Sequence, residues 1–592
     1  MRLTTVLLIL TVFVNAQTIP ANKKTQKNES GSELQQRRAT ALSILQSLAI
    51  EARSYSDEPL RARVQAHVAD LLWSHDKEAA RSLFRRAWEI AEALDQAGAT
   101  SNLPGRRPTS GGRSPARTNL RRAILQLASR RDYALGEEFL AKLTSRDEAA
   151  SKSNVLSSAE TAERLRLAME LVDNQNIERA LQFADPAVTR INIQTIEFLV
   201  ALREKDALAA DRRFASLLKT AFADPASDAN TVSLLTSYTF TPSIYLVVTR
   251  SGIPSSTGYA PRPVPTLNQQ LRRAYFDTAA AILIRPLTQI DQSSAGRAGT
   301  HFMVMRLLPL FQQHSPDFIG PLNAQLAALG PEAAQTTANT GEVALKRGMG
   351  DDTTSTNAEL NERLDRAKNS DERDRAYAFA AIGAAEQMDP GARDLVDKIE
   401  DAETRKGVRT WVDYMMIRST INQKRPDEAL LLIRKTQLPW VLRTHFLTKV
   451  AGLKVKPDPA EARELLEEAL ADARRLDPDT SDRAFSLIAL LRQFSLLDRT
   501  RTWELLSETI KTINSVPDFT AERGHASLRL EGKFSISFGV ELATSEDLTE
   551  VFRQLAEQSF YQALDVSKSF RADAPRALAT IAVVRTVLVE QP

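Results

Sequence analysis

Apolar residues along most of this chain return every three or four positions. Val64, Val68, Leu71 and Leu72 fall on one face of a helix, and a longer stripe follows: Ala80, Leu83, Phe84, Ala87, Trp88, Ala91 and Leu94. That spacing is the 3.6-residue period of an amphipathic helix, not the alternation of a strand. The same stripe recurs far downstream at Ala462, Leu465, Leu466, Ala469, Leu470, Ala473 and Leu476, with Phe446, Val450 and Leu453 ahead of it in the places of Val64, Val68 and Leu71. Each stripe begins four residues after an aspartate, Asp76 or Asp458, and each carries an arginine directly after its first alanine, Arg81 or Arg463. Asp458, Pro459 and Glu461 form a helix start of cap, first-turn proline and capping-box acid. The repeating unit is therefore a helical hairpin. Weaker copies open at Ala392, Ala429 and Thr502; with Ala462 they stand 37, 33 and 40 residues apart. One hairpin cannot bury its own apolar face, so periods of this size predict stacked hairpins.

Three stretches break the rhythm: 98–119, rich in Gly, Pro, Ser and Arg; 236–268, with prolines among aromatic residues; and 330–357, rich in Ala, Thr and Gly. Late in the chain the period changes to two, at Phe534, Ile536, Phe538, Val540 and Leu542 after Leu528 and Leu530, with a Gly532-Lys533 turn between. This predicts one short β-hairpin near 527–542. Thr544 and Asp547 then start a helix, and Pro575 opens the last one.

The order of small residue, large apolar residue four places on and Ala three further, carried by Ala80-Phe84-Ala87 and Ala462-Leu466-Ala469, resembles the second helix of a tetratricopeptide repeat. That resemblance implies an α-solenoid and a partner-binding role. The first helices depart from the family, with Val68 and Val450 where it places Gly. The chain also resembles uncharacterised exported helical-repeat proteins of bacteria.

Composition adds a compartment. Arg2 precedes an apolar run, Leu3 to Val14, that ends at Val14-Asn15-Ala16. This is the layout of a cleavable signal peptide, residues 1–16, and the run is too short for the roughly 20 residues a membrane-spanning helix needs. The expected destination is periplasmic or secreted. Residues 17–35 read as a polar tether, 36–329 as an N-terminal helical domain with insertions at 98–119 and 236–268, 330–357 as a linker, and 358–592 as a C-terminal helical-repeat domain. There is no cysteine in 592 residues, so disulfides and thiol chemistry are excluded. A cysteine-free exported chain of this size points to a bacterial source. Lys and Arg total 77 against 74 Asp and Glu, a net charge of +3, which does not suit a protein that coats nucleic acid.

Candidate chemistry is sparse. His67 and His75 are eight residues apart, a spacing that reads more simply as two structural histidines than as a metal pair. Ser216 and Lys219 match the Ser-x-x-Lys pattern of penicillin-recognising enzymes, but no partner motif accompanies them. Phosphate and dinucleotide loops are absent: Ser527 replaces the glycine a P-loop needs ahead of Gly532-Lys533, and Thr353 the third glycine after Gly348 and Gly350. No catalytic residue, metal or cofactor is expected. Two surfaces remain as binding candidates. Arg106, Arg107, Arg113 and Arg117 belong to a stretch between Asp95 and Asp132 without an acidic residue, suited to an anionic glycan or envelope partner, the alternative being a flexible solvated loop. Tyr238, Phe240, Tyr245 and Tyr259 lie among prolines and suit a sugar- or peptide-stacking lip, the alternative being cover for a helix end. The five tryptophans, Trp73, Trp88, Trp411, Trp440 and Trp503, read as core fillers.

The expected fold is all-α: stacked antiparallel helical hairpins, an α-solenoid, superhelix or α/α toroid-like array, with the one β-hairpin. The expected role is an exported, non-enzymatic interaction scaffold for a protein or glycan. The alternative is an enzyme on an α/α array that acts on a polysaccharide with a carboxylate pair.

Overall fold

The computed structural model describes residues 31–100, 115–150, 159–258, 262, 264–340, 345, 360, 364, 365, 367–386, 388–530 and 536–589. Within them lie 26 α-helices and two antiparallel β-hairpins. The first half holds α1 (Gly31–Glu51), α2 (Glu58–Leu72), α3 (Lys77–Thr100), α4 (Pro115–Arg131), α5 (Tyr133–Ala150), α6 (Ala159–Asp173), α7 (Ile177–Ala184), α8 (Ile193–Lys205), α9 (Ala207–Ala223) and α10 (Ala229–Thr239). After the hairpin β1 (Ile244–Val248) and β2 (Pro254–Gly258) come α11 (Gln269–Leu283), α12 (Leu287–Gln292), α13 (Gly296–His314), α14 (Ile319–Leu329) and α15 (Pro331–Thr340). The second half holds α16 (Ser370–Glu386), α17 (Ala392–Asp397), α18 (Ala402–Asn422), α19 (Pro426–Lys435), α20 (Trp440–Lys454), α21 (Pro459–Ala473), α22 (Ser481–Leu497) and α23 (Arg499–Ser515). The hairpin β3 (Arg523–Leu530) and β4 (Ile536–Thr544) follows, then α24 (Ser545–Gln558), α25 (Phe560–Ser567) and α26 (Asp573–Leu588).

The stripes read from the sequence are the core. Ala80, Phe84, Ala87, Ala462, Leu466, Ala469 and Leu470 are all fully buried, as are Val68 and Val450. Alanine on one helix lets its neighbour approach, and the Leu and Phe between fill the gap. First helices of successive hairpins pack side by side: α2 on α4, α6 on α8, α20 on α22, α22 on α24 and α24 on α26.

The arginine after each first alanine has a job the sequence did not disclose. Arg81 grips Asp132 with Nε at 2.8 Å and a second nitrogen at 2.7 Å, and Asp132 in turn caps α5. Arg463 reaches Asp498 at 3.4 Å, and Asp498 caps α23 by accepting from the Arg501 amide at 3.0 Å. One repeat therefore braces the cap of the next. Caps recur throughout: Asp57, Asp76, Asn192, Asp206, Asn268 and Asp401 each accept from a first-turn amide. A cap of this kind contributes about 1 kcal/mol.

The array returns to its start. The last helix, α26, packs on both α1 and α2. Arg576, early in α26, donates to Glu51 at the end of α1 at 3.0 Å, and Arg38, early in α1, donates to the Val587 carbonyl near the end of α26 at 3.3 Å. These contacts run antiparallel, so α26 and α1, the last and first described helices, pair like the hairpins of the array without a connecting loop between them. One apolar core runs from Tyr414 through Leu588 and across this split hairpin to Ala41 and on to Leu322. Smaller clusters centre on Ile290, Leu329 and Ala333 and on Ala381, Val396 and Val412.

The expected hairpin near 527–542 is present as β3 and β4, with Ala526 opposite Val540 and a register shift at Gly524 and His525. Val540 and Leu542 are buried, and Thr544 with Asp547 forms the capping box that opens α24. Phe534 and the Gly532-Lys533 turn lie outside the described residues. A second hairpin, β1 and β2, was not expected. Its strands are five residues each, and β2 (Pro-Ser-Ser-Thr-Gly) carries no apolar alternation. Helix α10 holds it in place. Ser233 and Ser237 donate to the Leu246 and Ile244 carbonyls at 2.7 and 2.8 Å, and the Asn230 amide pairs with both the N–H and the carbonyl of Val248 at 2.7 and 3.0 Å. Three polar side chains on one helix face thus satisfy an otherwise unpaired strand edge.

Helical structure also enters stretches read as irregular. Helix α1 begins at Gly31, inside 17–35, and α15 spans Pro331–Thr340, inside 330–357.

Candidate functional site

A cavity of about 850 Å³ opens where the first hairpin insertion meets the helices around it. Its walls are the start of α8, the loop 225–228, the start of α10, the end of β1, and the segment from Arg285 through Ser294. Two charged groups line it, and both are spent on holding it together. Asp228 caps α10, one oxygen accepting from the Asn230 and Thr231 amides at 2.9 and 3.2 Å. Its other oxygen accepts from the Ser294 and Ala295 amides at 3.0 and 3.3 Å, and from the Ser294 hydroxyl. Arg285 donates to the carbonyls of Asp224, Pro225 and Ser227 at 2.8, 2.8 and 2.5 Å. The loop 224–228 is therefore tied down from both ends, by a carboxylate that accepts from five donors and a guanidinium that has committed three of its five N–H groups to carbonyls.

The remaining lining is uncharged. It comprises the amides Gln194, Gln289 and Gln292, hydroxyls including Thr231 and Ser293, and apolar patches at Ile193, Leu234 and Ile282. The three glutamines carry no side-chain hydrogen bond to the described protein. An amide offers both donors and an acceptor, so the cavity presents paired neutral groups beside apolar surface. That chemistry suits a neutral polar ligand, such as a sugar hydroxyl face or a peptide backbone, and supplies no acid and base pair.

A second, shallower pocket of about 580 Å³ lies between α20 and α21. Trp440, 42% exposed, forms one wall, with the Arg475 guanidinium 4.2 Å from its ring centroid. Arg443 grips both Glu468 and Asp472. Burial pushes the Asp472 carboxyl up and Arg443 pulls it down. Glu468 and Asp472 are one turn apart on a single helix face, so they stand on the same side of the pocket. The expectation that Trp440 fills the core is corrected here. It is the first residue of α20, off the Leu442-Phe446-Val450 stripe, and helix packing does not cover it. Trp88, stacked on Phe139 with centroids 4.5 Å apart, is a true core filler, whereas Trp73, Trp411 and Trp503 are only partly buried.

Of the expected binding residues, the structure describes the side chains of Tyr238, Phe240 and Tyr245. Arg106, Arg107, Arg113 and Tyr259 lie outside the described residues, and Arg117 belongs to the first turn of α4 with its side chain outside them. Further along α4 three arginines are engaged: Arg121 with Asp95, Arg122 with Glu163, and Arg131 with Asp70. Tyr238 and Tyr245 are buried. Tyr238 stacks on Phe214 at 4.1 Å and donates to Asp211 at 2.6 Å, and burial raises its phenol well above the usual range. Phe240 packs against Tyr275, Phe276 and His314. The Tyr238 and Tyr245 rings are thus packed inside the protein, and Phe240 packs on residues of α11 and α13. Tyr238 does border a third pocket of about 470 Å³, with Arg203, Pro242 and Pro265.

His75 is exposed in the turn after α2, while His67 is partly buried within that helix. Among the described residues no three His, Asp or Glu side chains group as a metal site. Ser216 and Lys219 lie on the exposed face of α9. Gly348, Gly350 and Thr353 lie outside the described residues. Among the described residues no helix is long and apolar enough to cross a membrane. The cavity residues Asp228, Asn230, Arg285 and the three glutamines were missed in the sequence. The Asp228-to-Thr231 capping box was a legible local signal, but scattered amides carry no spacing that marks a cavity.

No protein-family model matches the sequence, and no curated protein matches it. A solved structure described as a circular tandem repeat protein with novel repeat topology and enhanced subunit contact surfaces is 14% identical, over 93% of this chain and 98% of that one, with a TM-score of 0.11.

Proposed function

We propose that this protein is an exported, non-enzymatic interaction scaffold that presents the cavity beside β1 and β2 to a neutral polar partner, a glycan or a peptide segment. The observation that carries this reading is the spent state of Asp228 and Arg285. A cavity of this volume is of the size that holds small ligands, and its one carboxylate and one guanidinium are consumed by the fold. Catalysis of glycoside cleavage needs two carboxylates across a cleft, one of them protonated. Glu468 and Asp472 share one helix face and one arginine, which favours a structural role for them. Export rests on the apolar run Leu3 to Val14 and the Val14-Asn15-Ala16 sequence behind it. The N-terminus of protein recovered from its source is expected to be Gln17.

The binding test is a glycan and peptide array probed with the mature chain and with a Gln194→Ala/Gln289→Ala/Gln292→Ala variant. The expected result is a neutral ligand retained by the parent and weakened at least about tenfold by the triple change, the equivalent of one or two lost hydrogen bonds. Undiminished binding by the variant, or turnover of an arrayed polysaccharide, overturns the reading.

A further inference from the structure

Where α26 packs against α1 and α2, the guanidinium groups of Arg130, Arg131 and Arg585 gather about the buried carboxylate of Asp70. Asp70, on α2, accepts from Arg131 of α4 at 2.7 Å and from Arg585 of α26 at 3.2 Å. Arg63, two turns earlier on α2, is paired with Glu522. Arg130 has no ion pair among the described residues, although it is partly buried and feels the charges of Asp70, Arg585, Glu170 and Arg131. The Nε groups of Arg130 and Arg585 are both shielded from solvent without a hydrogen-bond partner. Buried N–H donors of a charged group are costly to leave unpaired, and such groups in folded proteins normally have a partner. His67 stands in the same cluster on α2, held neutral to about pH 4 by burial and by the nearby Arg585, and so retains one N–H to donate. Arg585 itself is 42% exposed, so the cluster is open to solvent on the α26 side.

We propose that this junction is an anion site in which a phosphate- or sulfate-type oxyanion sits between Arg130 and Arg585, with His67 as a further donor. Planar guanidinium groups match a tetrahedral oxyanion through paired N–H bonds, and Asp70 already has its share of cation from Arg131. The ligand would bridge α4, carried by the N-terminal part of the array, and α26, carried by the C-terminal end. Occupancy would therefore tighten the split hairpin. This site is separate from the neutral cavity beside β1, and either can fail without the other.

The test is thermal unfolding and calorimetric titration of the mature chain with inorganic phosphate, with glucose 6-phosphate, and with sodium chloride at matched ionic strength. The expected result is a melting temperature that climbs with the logarithm of phosphate concentration and does not follow chloride. R130Q removes a cation that has no ion pair, so it is expected to fold, to melt in chloride at or above the parent temperature, and to bind phosphate at least about tenfold more weakly. H67Q is expected to weaken binding less. Binding of both phosphate and the ester supports a site open to phosphorylated partners, and binding of inorganic phosphate alone supports a site for the free ion. An equal response to phosphate and chloride, or a phosphate response unchanged in R130Q, overturns the proposal.

Discussion

The hairpin of α2 and α3 and the hairpin of α20 and α21 share one pattern 382 residues apart, yet they do different work. Both bury the same stripe, both start the second helix on a capping aspartate, and both send an arginine to the cap of the next hairpin. Their other positions diverge. Asp70 in the first corresponds to Gly452 in the second, and Leu72 to Lys454. Asp70 binds arginines from two other helices at the chain junction, whereas Gly452 lets the Gln493 side chain of α22 approach closely. Lys454, buried, holds Asp427 and Glu461. The apolar stripe therefore fixes the stacking, and the residues off the stripe record where in the array a hairpin sits.

If the stripes are equivalent, their largest members should cost alike to remove. Phe84 and Leu466 occupy the same repeat position, and both are fully buried. Phe84→Ala and Leu466→Ala are each expected to destabilise by about 3–4 kcal/mol, read from denaturant midpoints at constant slope. A loss confined to one hairpin would show that the two are alike only in sequence.

The next contrast is at the divergent position, where one change is costly and the other nearly neutral. Asp70→Asn keeps the shape but leaves Arg131 and Arg585 without their shared carboxylate. Because those arginines are 31% and 42% exposed, the expected loss is about 2 kcal/mol, below the full cost of breaking a buried pair. Gly452→Ala gains helix propensity but places a Cβ 3.0 Å from Gln493 Oε1, the mobile end of a side chain. Its net effect is expected within about 0.5 kcal/mol of zero. Unfolding midpoints of the two variants, measured side by side, check the comparison.

The fold was legible because stacking depends on a periodic stripe, which a sequence displays directly. The β3–β4 hairpin was legible for the same reason, through its period of two. What stayed hidden is what has no period. Hairpin β1–β2 depends on Asn230, Ser233 and Ser237 of α10 for its edge, and those read as ordinary polar helix residues. The split hairpin joins residues more than 500 apart, Arg576 to Glu51 and Arg38 to Val587, a pairing that one sequence cannot announce. The aromatic cluster at 238–245 drew attention by composition, which does not distinguish a ring that stacks on a ligand from one that stacks on Phe214. Trp440 misled in the other direction, because a tryptophan at the first turn of a helix can lie off the buried stripe.

A final, smaller effect tests whether the two hairpins treat charge alike. Arg63 and His67 in α2 correspond to His445 and Lys449 in α20, so each helix carries one cation and one histidine a turn apart, in opposite order. Burial is the main cause that depresses both histidines, His67 to about 4 and His445 to about 3, and the neighbouring cation adds to it in each. An unfolded histidine titrates near 6.5, so below that pH the unfolded chain binds a proton that the folded chain refuses. The stabilisation is thus complete above about pH 6.5 and is lost progressively as the pH falls towards the two folded values. Between pH 7 and pH 6 each histidine is expected to account for about 0.7 kcal/mol of lost stability. His67→Gln and His445→Gln should each flatten that slope by the same amount in urea titrations at the two pH values. A slope flattened by only one of them would mean that reversing the order of cation and histidine changes how the site excludes a proton, and the two hairpins would then differ in electrostatics as well as in partners.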